Sequence, residues 1–231
     1  MIKNRHFIVA AGAALAVFAS CAPSEEAQSA TVDTISSTST GALARLTVAG
    51  TRYVVAPSGN EVRYRVREQL VGFDLPNDAI GKSTGVTGVI AIDDAGKIIR
   101  DASRFVIDAA TFASDRDRRD GYVRGRLLEA AQYPSVVFVP TEARGIILPP
   151  SGSGSSTFDL LGDLTVRGVT HPTTWRVTAT VTNGQVSGSA TTKFAFADFR
   201  MEKPKVRSVL SVADTIALEY DFRLVREGET P

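Results

Sequence analysis

Cysteine occurs once in the 231 residues, at Cys21, and histidine twice, at His6 and His171. A single thiol excludes an intramolecular disulfide, and so few soft ligands exclude a zinc or iron centre built from Cys and His. Neither charge is in excess: 26 Lys and Arg stand against 25 Asp and Glu. The basic footprint of a nucleic-acid-binding protein is missing, so no nucleic-acid partner is expected. No G-x-S-x-G elbow and no phosphate-cradling glycine loop is present. What remains is ordinary globular composition, 43% hydrophobic and 22% charged, enough for one well-buried core.

The N-terminus has a chemistry of its own. "MIKNRH" is short and basic, "FIVAAGAALAVFA" is apolar but too short to span a bilayer comfortably, and the small residues Ala19 and Ser20 precede Cys21. This resembles a bacterial lipobox, in which a peptidase cuts before the cysteine and the thiol carries a diacylglycerol. The expectation is a signal peptide over 1–20 and an exported protein, periplasmic or cell-surface, anchored to a membrane through lipid on Cys21. Each buried methylene contributes about 0.8 kcal/mol, so two or three chains hold where one does not. Ordinary secretory cleavage nearby is the alternative. Residues 22–42 are rich in Ser, Thr, Ala and acids and lack an apolar period. Residues 21–45 therefore read as a flexible tether, 46–226 as the folded domain and 227–231 as a C-terminal tail.

From about Arg52 the pattern has period two. "EVRYRVRE" sets Val62, Tyr64 and Val66 against Arg63, Arg65 and Arg67, and "TIALEYDFRLV" sets Ile216, Leu218, Tyr220, Phe222 and Leu224 against polar neighbours. Half-buried strands require this alternation. The same reading predicts strands near 84–93, 98–108, 135–144, 157–167, 173–182 and 185–197, about eight in all with 61–69 and 213–225. "SDRDRRDGYVRGRLLEAAQYP" breaks the rule: Ser114 can cap a helix, Gly121 and Gly125 divide it into two short pieces, and Pro134 stops it. Such strands with one apolar face close into an up-and-down barrel or stack as a two-sheet sandwich. Pattern alone favours the barrel weakly.

Few residues offer catalysis. His171 reads as an exposed turn residue beside Pro172, with Gly168 supplying the turn of a hairpin. "DRDRRDG" fails as a calcium loop because cations and Asp120 stand where acids and glycine are needed; it reads as a solvated face of alternating charge. Asp163, Asp198 and Asp214 could converge as an acid–base pair, but nothing in the sequence requires it. Apolar inward surface is plentiful instead. Phe105, Phe138, Phe158, Trp175, Phe194 and Phe196 fall on predicted strands. They fill a core or line a cavity, since an eight-stranded barrel is the size at which either happens.

"GDLTVRGVTHPTTW" resembles the signature turn of the YceI-like family. "FVIDAATF", "RRDGYVRGRLLEAAQYPSVVF" and "FAFADFRMEKPKVRSVLSVADTIALEYDF" resemble further family segments in the same order, over about 52–225. The resemblance implies an all-β, eight-stranded antiparallel lipocalin-like β-barrel with a short helical insert. It also implies a ligand of long apolar chain, an isoprenoid or fatty-acid derivative, with no cofactor and no catalysis. The expected ligand-binding residues are Phe105, Phe138, Phe158 and Leu164, with Trp175, Phe194, Phe196 and Tyr220. The chain departs from the family where Ala56, Gly59 and Asn60 replace an Asp-x-x-His-Ser element and Tyr122 replaces a histidine, so a different polar head, or none, is expected. A filled barrel docking partners through Arg63, Arg65 and Arg67 or the 115–126 cluster is the second reading, a lipid-modifying enzyme the third. A homodimer is left open.

Overall fold

The computed structural model describes residues 50–149 and 154–228. Cys21, the signal segment and the tether lie outside them.

Period-two alternation produces the strands, and their pairing closes them into a ring. The chain runs through β1 (Thr51–Val55), β2 (Glu61–Leu70), β3 (Asn77–Ser83), β4 (Val86–Ile92), β5 (Arg104–Asp108) and β6 (Ala113–Ser114). It continues through β7 (Ser135–Arg144), β8 (Gly154–Val166), β9 (Val169–Thr182), β10 (Gln185–Ala195) and β11 (Val209–Arg226). Every pairing is antiparallel. The ring closes where β11 pairs with both halves of the first strand: Val54 opposes Val225, and Tyr64 opposes Leu218. Counted around the wall, β1–β2, β3–β4 and β5–β6 are interrupted single strands, so the barrel has eight staves. This closure excludes the sandwich.

Between β6 and β7 the chain forms α1 (Asp117–Tyr122) and a π-helical turn over Val123–Leu127. The two run on without a break, changing winding between Tyr122 and Val123, so Gly121 and Gly125 do not divide the segment into separate pieces. Ser114 does not cap them. The helix starts after Arg116, and the Ser114 hydroxyl donates to the Asp120 carboxylate at 2.6 Å.

Other expectations are corrected. Residues 98–108 are not one strand: Arg100–Ala102 form a 3-10 turn, and the Ser103 hydroxyl accepts the Ala91 N–H at 2.9 Å in place of a ladder bond. Phe196 is not on a strand but in the 3-10 turn Phe196–Phe199 that follows β10. His171 is not in a turn. The β8–β9 turn is Arg167–Gly168, both at positive φ (51° and 72°), the geometry of a tight type I′ hairpin. His171 and Pro172 lie inside β9. Proline is tolerated there because β10 pairs with β9 only from Arg176 to Thr182, leaving that edge near Pro172 without a ladder partner.

The core is the barrel interior, drawn from residues between Tyr53 and Val225, with Leu164 and Phe199 wholly buried.

Candidate functional site

The inward face of each strand is a column of side chains, and the columns enclose two chambers. The narrow one, about 110 Å³, lies between the Val62, Phe138, Leu164 and Tyr220 level and the end where β1 meets β11. The wide one, about 770 Å³, begins one inward position further along the same strands, at Tyr64, Val136, Val166 and Leu218. Ile107 lines both.

Six of the eight sequence-predicted ligand residues, Phe105, Phe138, Phe158, Leu164, Trp175 and Tyr220, line the narrow chamber. Phe194 and Phe196 line the wide one. The wide chamber also uses Val66, Ala79, Val136, Ile216 and Leu218, which the aromatic pattern did not single out.

The narrow chamber has an apolar lining. Phe138 and Trp175 pack at 5.5 Å between ring centroids, and Phe105 meets Tyr220 edge-on at 6.4 Å. Its polar handles are satisfied in the wall. Trp175 donates to the Thr173 hydroxyl at 3.2 Å, and the Tyr220 hydroxyl donates to Asn60 at 2.8 Å. Burial raises the Tyr220 pKa. Asn60 also accepts the Arg223 N–H at 3.0 Å and donates to the Ala56 carbonyl at 2.9 Å. Asn60 thus ties the β1–β2 turn to β11.

The wide chamber opens past a charged rim supplied by α1 and the segment before β11. Glu68, on the inward face of β2, accepts from Arg119 of α1 at 2.6 Å, with both side chains nearly buried. Arg119 also pairs with Asp115. Burial opposes the Arg119 charge, and the two carboxylates more than offset it, so its pKa rises. Asp120 accepts from the Ser114 N–H and hydroxyl at 2.9 and 2.6 Å, pinning α1 to β6. The 115–126 segment is therefore only partly the solvated face expected of it: Asp120 is buried, and Arg119 is bound across the mouth.

Tyr64 is folded over Gly81, where any Cβ would collide with its ring, and tilts against Phe112 at 5.7 Å. Burial foremost pushes its pKa up to about 12. Its hydroxyl lacks a well-formed hydrogen bond, and Ser114, which faces it, is committed to Asp120. His171 packs edge-on to Phe199 at 5.9 Å, with Nε2 4.0 Å from Asp198.

The three aspartates considered for acid–base work have different surroundings. Asp163 binds Arg100 at 2.7 Å, Asp198 accepts the Ala195 N–H at 2.8 Å, and Asp214 is exposed at an irregularity of the β11–β2 pairing. The basic face of β2 is not bare either. Arg63 binds Glu61, Glu219 and Asp221, and Arg65 and Arg67 share Asp78.

Comparison with known proteins agrees with this architecture. A polyisoprenoid-binding domain from Saccharophagus degradans superposes with a TM-score of 0.60 at 14% identity, covering 75% of this chain and 97% of its own. BcnA of Burkholderia cenocepacia gives 0.54 at 18% identity, covering 73% and 98%. A YceI protein of Campylobacter jejuni gives 0.54 at 17%, covering 70% and 94%. At such identities the likeness establishes the fold alone. No protein of curated function matches the sequence significantly. Residues 53–224 match the YceI-like domain, which spans the whole barrel from its first inward tyrosine to its last inward leucine. The chain belongs to the YceI-like family.

Proposed function

We propose that this protein binds a long-chain apolar lipid, a polyisoprenoid or fatty-acid derivative, and holds it in the barrel without transforming it. One observation carries the reading: a chamber of about 770 Å³ opens to solvent above a predominantly apolar floor, within the range of small-molecule sites. From Ile216 to Leu224 the two chambers together follow β11 for roughly 26 Å at about 3.3 Å per residue, a length suited to an extended chain. Affinity would come from apolar burial, at roughly 25 cal/mol per Å² before association costs. The likeness to a polyisoprenoid-binding domain supports the same reading.

The filled-barrel reading is disfavoured by the chamber volume and by the neutralisation of the arginine face. Export, and a membrane anchor on Cys21, belong to the proposal. Metabolic labelling with palmitate, abolished by Cys21→Ser, tests the anchor.

Native mass spectrometry of the chain from Gly41 onward, followed by extraction and identification of retained lipid, tests the binding. A stoichiometric adduct of one chain class supports it. A clean mass with no uptake from a lipid extract overturns it. Ala79→Trp, which fills the wide chamber from β3, should reduce uptake while leaving the fold intact.

A further inference from the structure

We infer that the rim of the wide chamber is a docking surface for an anionic lipid bilayer, so that the mouth opens onto the membrane itself. The inference rests on the lipid-binding reading for its purpose but on separate residues for its physics. The β2–β3 connection places Val71, Phe73 and Leu75 at 53%, 57% and 77% exposure, and Leu210 on the adjoining end of β11 is 65% exposed. They share one end of the barrel: the Val71 N–H donates to the Ser208 carbonyl at 3.1 Å, and Val209 opposes Leu70. Val71 and Phe73 also line the chamber mouth. Four large apolar tips at one place exceed the scatter of single exposed residues that needs no explanation.

Cations surround these tips. The segment Arg200–Arg207, which crosses the same mouth, carries Arg200, Lys203, Lys205 and Arg207 against Glu202. Lys203 and Lys205 are exposed, while Pro204, Val206 and Arg207 line the chamber. The Arg116 guanidinium lies 5.9 Å from the centre of the exposed Phe73 ring, and Arg118 is exposed beside it. Of the acids at this end, Asp115 pairs with Arg116 and Arg119, Asp78 with Arg65 and Arg67, Glu68 with Arg119, and Glu202 with Lys205 at 4.0 Å. Asp74 and Asp117 are exposed.

Apolar tips inside a basic collar match a bilayer interface. The tips enter the acyl boundary, and the cations meet anionic head groups. The tips sit on a loop and an irregular strand end rather than forming one flat face, which a fluid surface accommodates and a rigid protein partner does not. Docking here would let an insoluble chain pass from bilayer to chamber without crossing water. The opposite end offers a built-in control: Ile147 is as exposed, at 79%, but stands alone beside Gly96.

The test is co-sedimentation of the chain from Gly41 onward, which holds every strand of the closed ring, with vesicles of phosphatidylglycerol and phosphatidylcholine or of phosphatidylcholine alone. Binding is expected to the anionic vesicles and to fall with salt. Leu75→Asp combined with Leu210→Asp should weaken it roughly tenfold or more. Lys203→Glu with Lys205→Glu should weaken it too, and Ile147→Asp should leave it unchanged. These side chains project into solvent, so circular dichroism should report an unaltered fold for each variant. Absence of vesicle binding, or equal loss with Ile147→Asp, overturns the inference. So does binding indifferent to lipid charge. Lipid content measured by native mass on the same samples separates the two readings. A loaded barrel that ignores vesicles overturns docking and keeps lipid binding; an empty barrel that binds them does the reverse.

Discussion

Along β11 the inward side chains of Phe222 and Tyr220 face about 110 Å³, and those of Leu218 and Ile216, the next two inward positions, face about 770 Å³. The same strands build both spaces, so the difference lies in the side chains and not in the backbone ring. Around the narrow chamber, aromatic rings converge: Phe105 of β5 meets Tyr220 of β11, and Phe138, the cross-strand partner of Phe105 on β7, meets Trp175 of β9. Around the wide chamber the projecting positions are aliphatic or small, such as Val66, Ala79, Val136 and Val166. Two of its aromatics are held against structure. Tyr64 lies over Gly81, and Phe194 stacks edge-on against Phe199 at 4.8 Å. One half of the interior is packed as a core, and the other is kept open.

If that distinction is right, truncation should cost differently in the two halves. Phe222→Ala in the narrow chamber should destabilise by about 3–5 kcal/mol, because it removes a buried ring and leaves a cavity its neighbours cannot fill. Leu218→Ala should fall near the low end of the usual 2–5 kcal/mol, about 2, because Leu218 already borders open space. Urea midpoints compare them. Equal losses would mean that the wide chamber is closed in solution.

The rim yields the next effect. Arg119→Met leaves Glu68 nearly buried without its partner, and loss of one member of such a pair typically costs about 3–5 kcal/mol. Replacing Glu68 as well, by Leu, should recover most of the loss, since the paired apolar side chains need no desolvation of charge. A double-mutant cycle on urea midpoints reads the coupling. Additive losses would place Glu68 in water and unmake the description of the mouth.

This division explains what could be read from the sequence. The alternation of "EVRYRVRE" and "TIALEYDFRLV" was legible because each strand shows one apolar and one polar face. Strand β3, "NDAIGKS", was not, because its inward residues are Ala79, Gly81 and Ser83. Gly81 is bare because the Tyr64 ring of the neighbouring strand occupies the space above it, a fact held in the partner and not in the segment. The same limit applies to the site. Aromatics are conspicuous in a sequence, so the expected ligand residues fell mostly in the packed half. An open chamber is made by what does not project, and Val66 or Ala79 carries no mark of that role. Arg119 and Asp120 looked solvated amid alternating charge, and only the fold brings Glu68 and Ser114 to them.

The smallest effect concerns the outside of the wall where the chambers meet. Glu219 points outward between Leu218 and Tyr220 and is bound by Arg65 at 3.0 Å and Arg63 at 3.2 Å across the β11–β2 pairing. Arg65 first, then Arg63, holds its carboxyl below the ordinary value of 4.5. A depressed folded pKa stabilises the protein above the unfolded value, and the contribution disappears as pH falls through the folded one. The pair is partly solvated, so its worth is about 1 kcal/mol or less. Glu219→Gln should therefore lower stability slightly at neutral pH and converge with the wild type as pH falls through the depressed folded value. The gap should also shrink with salt. A variant whose deficit persisted in acid would show that Glu219 acts through packing at the waist and not through its charge.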